Sequence, residues 1–356
     1  MKIDKKISGL LILVLITTTL SAQNNNCNIK KTFPVNKGAT LRLSNKYGDV
    51  NVITDKNDSL FVCATITIVQ DNNDLVQKSM KLVTISTNKL KDTVFVSTLY
   101  DKKFFSEALR QGRKSFSVDY FIKMPSYMDL TITNEFGNVS VEELSGTLNV
   151  RLSQGNLSAK RLTKGNVKPI STIYADHSNV NIDELNWMTL TLQNCPSVNI
   201  EKAQALMMTS VISKISMGDI SSVVSNSKSD SYNIKSINNI VSESTYSEYE
   251  IGRLNGQLKS KVIYGSISIS DLNKGFSSID IVAGQAQVTL KTGHGISFMA
   301  DIIAADAMVD FTAVKYPGIK KTESNFSTTL LGTAGPDKET KSLIRIRATS
   351  GKLTIQ

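Results

Sequence analysis

The residues that could support acid–base chemistry in this 356-residue chain are few and scattered. Two loose groups stand out: Asp176, His177 and Asp183, and His294, Asp301, Asp306 and Asp310. Glycoside hydrolysis needs two carboxylates roughly 5–10 Å apart. Neither group carries the dense set of acidic, basic and aromatic residues that sugar cleavage uses, and aspartates that line turns explain both. We therefore expect no catalytic residues.

Other catalytic and ligand-binding motifs are missing from the sequence. There is no Gly-x-Ser-x-Gly nucleophile elbow, phosphate-binding loop, dinucleotide fingerprint, zinc spacing or calcium loop. Any triad would have to use His177 or His294, since the chain has only two histidines. We expect no metal site and no cofactor.

The most distinctive side chains lie between residues 242 and 250, where two tyrosines alternate with glutamates and small polar residues. The aligned apolar positions Ile240 and Ile267 are farther apart than any other neighbouring pair of aligned positions in the central chain. This predicts an enlarged repeat or a protruding loop. Its candidate binding residues are Tyr246, Glu248, Tyr249 and Glu250.

A sequence motif that repeats along the chain, called the figure below, must position these residues. In the stretch from Leu130 to Val141, two apolar residues alternate with polar ones, a turn follows, and two more apolar residues alternate. Copies aligned on Val139 recur at intervals of roughly 20 residues as far as Val288. Each half of the figure predicts a strand with one buried face. Self-similarity at this period is typical of repeat architectures, in which stacking buries a shared core.

The turn of the figure usually carries a glycine. These predicted structural turn residues are Gly48, Gly137, Gly155, Gly218, Gly265 and Gly351. Because glycine reaches positive φ without a Cβ clash, we expect it to hold the corner in that conformation.

These patterns predict an all-β fold, a parallel β-helix or β-solenoid with rungs of roughly 20 residues. An ordinary β-sandwich is the alternative, because its turns recur every ~8–12 residues. Residues 23–129 are predicted to form an antiparallel β region that caps the stack, including a hairpin around residues 88–92. Residues 130–356 contain the repeats and a closing C-terminal strand hairpin. Residues 102–114 are expected to be a short helix or a mobile loop.

The N-terminus has the parts of a secretory signal peptide at residues 1–22: basic residues, a short apolar run and Ala22 at the expected cleavage site. No later segment is apolar enough to cross a membrane, and Asn24–Asn26 before Cys27 argues against lipidation. Three cysteines do not make a disulfide framework; at least one should be free or pair between molecules. Cys63 is expected to be a small core residue. The predicted location is the periplasm, the outer-membrane surface or outside the cell.

Net charge gives weaker information. The chain is formally +10; three lysines and one aspartate in the signal contribute +2, which leaves the mature chain near +8. Dispersed basic residues indicate a solvated surface or attraction to anionic glycans or headgroups. Nucleic acid is not an expected partner. Outward Ser and Asn residues could form ladders and a flat polar face suited to carbohydrate, or serve solubility alone.

Several short stretches resemble an adhesin-like family of exported bacterial proteins, related to head-GIN-like adhesin domains. They are residues 20–23, 45–52, 122–125, 134–139, 316–319 and 350–355. The resemblance implies a β-solenoid without assigned catalytic residues.

The sequence therefore predicts a non-enzymatic exported β-solenoid, an adhesin-like binding or structural module of the cell envelope. Its partner would be a glycan or an envelope protein. One alternative is a carbohydrate-active β-helix enzyme, a polysaccharide lyase or glycosidase. A second is a periplasmic protein-binding partner of an envelope signalling system.

Overall fold

The computed structural model describes residues 27–110, 115–312 and 315–356, so the predicted signal peptide lies outside the described residues. The fold is all-β, with two short helices, α1 (Asn73–Met80) and α2 (Lys103–Arg110). The strands before residue 150 are β1 (Ile29–Pro34), β2 (Thr40–Lys46), β3 (Val50–Asp55), β4 (Ser59–Val69), β5 (Val83–Leu90), β6 (Thr93–Tyr100), β7 (Ser115–Pro125), β8 (Asp129–Glu135) and β9 (Val139–Leu144). The central strands are β10 (Leu148–Ser153), β11 (Asn156–Leu162), β12 (Ser171–Asp176), β13 (Asn179–Gln193), β14 (Val198–Val211), β15 (Lys214–Lys228), β16 (Ser231–Thr245), β17 (Glu248–Ile263) and β18 (Ser266–Leu272). The last are β19 (Ser278–Leu290), β20 (Phe298–Ala305), β21 (Met308–Phe311), β22 (Ile319–Glu323), β23 (Ser327–Ala334) and β24 (Leu343–Ile355).

The strands form one long, mostly parallel sheet in which each repeat contributes two segments. We call the segments after each turn wall A, as in β9, β11 and the first half of β13, and the segments before each turn wall B, as in β8, β10 and β12. Wall A segments pair in parallel with the next wall A segment, and wall B segments with the next wall B segment. From β13 to β17 both segments belong to one bent strand of 14 to 16 residues.

The core lies between the walls, because alternate residues of each segment point inward. Val139 on wall A is 1% exposed and is in register with Val50 and Leu157 of the neighbouring repeats. The hydroxyl of Tyr249 on wall A lies 3.0 Å from Ser227 Oγ on wall B, which shows side chains from the two walls in contact. The period-two alternation predicted for the strands is therefore present, with aliphatic columns running from repeat to repeat.

The turn from wall B to wall A has a constant form. One residue per repeat adopts a left-handed conformation with φ between 48° and 63°. We call these the corner residues; in chain order they are Tyr47, Phe136, Gln154, His177, Asn194, Ile212, Ser229, Tyr246, Tyr264, Gln285, Asp306 and Ser350. The N–H of one corner residue donates to the carbonyl of the residue just before the next corner, as from Ile212 to Lys228 and from Ser229 to Thr245.

Gly48 has the predicted positive φ, at 158°, but most of the turn glycines do a different job from the one predicted. At Gly137 the positive φ belongs to the preceding residue, Phe136, at 57°. Gly137 is needed because a Cβ there would lie 1.9 Å from the carbonyl oxygen of Gly48. Gly155 and Gly265 follow corner residues in the same way, whereas Gly351 itself has a φ of 91°. The prediction was wrong for Gly218, which lies inside strand β15.

The repeat near residues 240–267 is not enlarged, and no loop protrudes there. Val198, Ile215, Tyr232, Tyr249 and Ile267 are successive register partners, so these repeats are almost equal in length. The wide spacing arose because the prediction aligned Ile220 and Ile240, which occupy other positions of the repeat. Tyrosines, rather than aliphatic residues, occupy the inward position in two consecutive repeats.

The N-terminal end mixes parallel and antiparallel strands. Wall B begins with β6, which pairs in parallel with β2 and antiparallel with β5, and this is the predicted hairpin around residues 88–92. Wall A begins with the antiparallel strands β1 and β4, followed by β7 and then β3 in parallel. Strands β2 and β3 thus lie inside the stack, between β6/β7 and β8/β9.

At the other end the chain returns into the stack. The last strand, β24, is inserted between β19 and the pair β20/β21, with parallel pairing on both sides. The final layer is instead formed by β20, β23 and β22, which pair antiparallel in that order. The C-terminal strand therefore does not close the stack, although an antiparallel hairpin does.

Two local features complete the N-terminal part. Helix α2 falls in the segment predicted as a helix or loop, of which residues 111–114 lie outside the described ranges; α1, capped by the Asn72 side chain, was not predicted. Cys63 is 1% exposed, as expected for a small core residue, but it forms a disulfide with Cys27 that was not predicted. Cys195 is free and buried. No helix in the described ranges is long and apolar enough to span a membrane.

Candidate functional site

A cleft opens along the corner column where three successive repeats present different triplets. The triplets are residues 212–214 (Ile-Ser-Lys), 229–231 (Ser-Asp-Ser) and 246–248 (Tyr-Ser-Glu). The middle residue of each triplet is buried and the outer two are exposed. Since Ser229 and Ser231 are small, the middle repeat leaves a gap between larger side chains on either side. We call this gap the corner cleft.

The corner cleft has a volume of about 520 Å³ and is open to solvent. Ile212 and Tyr246 flank it in the corner column, and Asn194 and Pro196 extend it toward the preceding repeat. Tyr246 is 56% exposed and stacks on Tyr264 of the next repeat, with ring centroids 5.1 Å apart and an interplanar angle of 12°. The stack supports the Tyr246 ring as a rigid aromatic wall of the cleft.

The rim of the cleft carries opposite charges. Lys214, Ser231 and Glu248 are successive register partners at the start of wall A. Neighbouring parallel strands lie ~4.8 Å apart, so Lys214 and Glu248 are separated by roughly 10 Å across the middle repeat. Both are exposed, and within the described residues neither makes an ion pair.

The floor of the cleft is a buried polar network centred on Asp230, which is 3% exposed. Its Oδ1 accepts from the Ser213 N–H at 2.8 Å. Its Oδ2 accepts from the Ser210 hydroxyl at 2.7 Å and from the Lys228 N–H at 3.1 Å. Burial raises the pKa of Asp230, and these hydrogen bonds oppose that rise. The carboxylate thus holds the backbone beside the corner residues Ile212 and Ser229.

Behind the floor, two tyrosines fill space that wall B leaves open. Tyr232 and Tyr249 are each 1% exposed and stack at 4.4 Å with an interplanar angle of 6°. The facing wall B positions are serines in these repeats, and the Tyr249 hydroxyl lies 3.1 Å from Ser225 Oγ. Large residues on one wall are therefore matched by small residues on the other. Burial raises the pKa of both phenols and keeps them protonated.

The structure separates the four predicted binding residues. Tyr246 and Glu248 line the corner cleft. Tyr249 is core, so its assignment as a binding residue was wrong. Glu250 is exposed on wall A, one step outside the cleft lining. Sequence reasoning missed Ile212, Lys214 and Ser229. The triplets recur at a constant interval, so with the correct period the sequence alone would have shown that the middle triplet has smaller outer side chains than its neighbours.

Two of the aspartates weighed for catalysis are held by neighbouring side chains. Asp176 bonds its neighbour His177, with Oδ1 2.8 Å from Nδ1. Asp301 is engaged by Arg347, whose guanidinium donates at 2.8 Å and lowers the pKa of the carboxyl. No group of three or more His, Cys, Asp or Glu residues in the described part of the chain could hold a metal ion.

Comparisons with known proteins add little. No family model matches the chain, and no curated protein does. One solved structure, described as a "putative cell adhesion protein" from Clostridium sporogenes ATCC 15579, is aligned over 92% of this chain and 98% of its own. It shares 12% identity with a TM-score of 0.16, values at which the alignment carries no argument. The resemblance to the adhesin-like family stays a prediction.

Proposed function

We propose that the chain is a two-walled β-solenoid that acts as an exported, non-enzymatic, adhesin-like binding module, and that it binds a sugar ring in the corner cleft. The observation that carries the proposal is the cleft itself: a gap of about 520 Å³ beside a stacked, exposed tyrosine. This volume falls within the ~300–1,000 Å³ usual for small-molecule sites.

The lining fits a ring with one apolar face and polar edges. The Tyr246 face and Ile212 offer apolar contact on the two sides. Asn194, Ser231, Lys214 and Glu248 offer donors and acceptors around them. A sugar ring combines axial C–H groups on one face with hydroxyls at its edges, which suits such a lining better than a wholly apolar ligand. The Ser and Asn ladders of wall A, such as Asn179 Nδ2 to Asn156 Oδ1 at 2.8 Å, extend the polar surface.

Export is supported by the N-terminal segment and by cysteine chemistry. The basic, apolar and small-residue parts of residues 1–22 are those of a secretory signal. Disulfides persist in oxidising compartments, and Cys27, which pairs with Cys63, lies shortly after the proposed cleavage site at Ala22. We propose the periplasm, the outer-membrane surface or the extracellular space as its location.

A binding role is favoured over catalysis by the state of the cleft's carboxylates. Asp230 is buried and already accepts three hydrogen bonds, which leaves Glu248 as the exposed carboxylate of the lining. A glycosidase uses two. Recognition of an envelope protein is the second candidate function, because an exposed tyrosine beside opposite charges is also typical of protein interfaces.

The proposal is tested by applying the mature protein to a glycan array and then measuring hits by calorimetry, with product analysis after prolonged incubation. We expect saturable binding without turnover, lost in Tyr246→Ala and retained in the matched control Phe95→Ala, an exposed aromatic on the outer face of wall B. Release of shorter sugars would favour the enzyme. Absence of glycan binding, with capture of an envelope protein, would favour the protein partner.

A further inference from the structure

The opposite charges on the rim of the corner cleft restrict the class of ligand more than its aromatic wall does. Several exposed charges along this stack pair with a neighbouring repeat, as in Arg253–Asp271 at 2.7 Å and Arg161–Glu143 at 3.3 Å. Lys214 and Glu248 do not pair within the described residues, because the middle repeat, with Ser231 in register between them, separates them. Their position beside the cleft leaves both available to a ligand.

Lys214 and Glu248 select different chemical groups on that ligand. A lysine ammonium has three donors and no acceptor, so it selects an anionic or strongly accepting group. A glutamate carboxylate only accepts, so it selects hydroxyl or amide donors. A ligand that meets both needs a carboxylate at one edge and hydroxyls at the other, roughly 10 Å across with the side chains included.

Charge-assisted hydrogen bonds make this selection strong. A bond with one ionised partner is roughly twice as strong as a neutral one. The net charge near +8 of the mature chain adds a long-range attraction for anionic polymers, which acts before contact.

We infer that the corner cleft selects an acidic sugar: a uronic acid residue of an anionic polysaccharide, with its carboxylate at Lys214, its hydroxyls at Glu248 and its apolar face on Tyr246. This inference rests on the proposed function, since it names the ligand class of the same cleft. Lys214 and Glu248 are its specificity-determining residues.

The test uses pairs of ligands that differ only in charge. Short oligosaccharides of galacturonate, glucuronate and mannuronate are titrated into the mature protein by calorimetry, each as the free acid and as its neutral methyl ester. We expect at least one acid to bind about tenfold or more tightly than its ester, the usual worth of one charge-assisted contact. Raising the ionic strength should weaken binding of the acid and leave the ester nearly unchanged.

Two variants assign the preference to the cleft. Lys214→Met keeps an apolar stem, removes the charge, and should lower affinity for the acid about tenfold while sparing the ester. Lys259→Met, on the outer face of wall B, makes the same change in net charge and should leave the preference intact.

The outcomes separate this inference from the function beneath it. Equal binding of acid and ester, or a Lys214→Met effect that is the same for both, overturns the acidic-sugar inference and leaves a sugar-binding cleft. If Lys259→Met abolishes the preference as well as Lys214→Met does, net charge causes the preference. That result also overturns the inference. Failure of both forms to bind, together with a silent neutral glycan array, overturns the proposed function itself.

Discussion

The carbonyl oxygen of Gly48 lies 1.9 Å from the point where a Cβ atom on Gly137 would be. The two glycines follow corner residues of adjacent repeats, and their backbones meet where the corner turns. Gly155 continues the contact, since a Cβ there would lie 2.0 Å from the carbonyl oxygen of Gly137. At Gly137 and Gly155, close backbone approach rather than positive φ fixes glycine at this position.

This contact predicts the effect of the smallest possible side chain. Gly137→Ala should destabilise the protein by about 1–3 kcal/mol or more, because a backbone carbonyl cannot move away without disturbing the ladder. The matched control is Gly165→Ala, where a Cβ would meet nothing within 4 Å and the change should be below ~0.5 kcal/mol. Urea melts of the two variants decide the matter. Equal stability of Gly137→Ala and Gly165→Ala would show that the repeats do not approach this closely.

The strands of the fold could be predicted because inward and outward positions alternate in the sequence. Val139 is buried as its alternation predicts, and the neighbouring Ser140 bonds Asn51 on the outer face. The order of the stack could not be predicted in the same way. Insertion of β24 between β19 and β20 depends on long-range pairing, for which Leu343–Ile355 carries no local signal.

The candidate site was half visible in the sequence. Tyr246 and Glu248 were predicted from composition, and both line the cleft. Tyr249 was misplaced because an inward position was expected to be aliphatic, whereas here the opposite wall has serines that make room for a phenol. The Cys27–Cys63 disulfide was missed because pairing of cysteines so far apart in sequence is decided by the register of β1 against β4.

The two tyrosines of this region should behave in opposite ways. Tyr249→Ala should cost about 3–5 kcal/mol, since a fully buried aromatic ring is removed and its serine partners lose a hydrogen-bonding group. Tyr246→Ala should change stability by less than ~1 kcal/mol, because its ring lies on the surface. Denaturant melts measure both changes. A large loss in Tyr246→Ala would mean that the corner stack holds the fold together and that its binding role is unsupported.

Asp230 should make stability depend on pH in the direction opposite to a paired surface carboxylate. Burial raises its pKa in the folded state above 3.8, so the folded protein binds the proton more tightly than the unfolded chain. Its contribution to stability is fully present below pH 3.8 and is lost as the pH rises through the folded-state pKa. The unfolding free energy of the wild type, relative to Asp230→Asn, should therefore increase as the pH falls through this window. Urea melts of both proteins across a pH series test this, and parallel curves would show that the carboxyl is not desolvated.

The disulfide should be a measurable part of the stability of the N-terminal region. Cys27 and Cys63 are separated by 36 positions in the sequence, and cross-links of this size typically contribute about 2–4 kcal/mol. Adding reductant should lower the urea midpoint of the wild type and leave Cys27→Ala unchanged.

Intact mass of envelope-purified protein should show an N-terminus at Gln23 and two fewer hydrogens than the reduced chain. A lipid on Cys27, or two free thiols, would contradict both the bond and the export it supports.

Filling the gap at the corner tests whether the corner cleft holds the ligand. Tyrosine is already accommodated in the corner conformation at positions 47, 246 and 264, so Ser229→Tyr should fold normally while its ring occupies the cleft. The matched control is Gln285→Tyr, the same change at a corner outside the cleft. With urea melts confirming that both variants are as stable as the wild type to within ~1 kcal/mol, calorimetry against the glycan selected on the array should show binding abolished in Ser229→Tyr and unchanged in Gln285→Tyr. Undiminished binding by a stable Ser229→Tyr variant would rule out ligand binding in the corner cleft, because the ligand would then be held elsewhere on the stack.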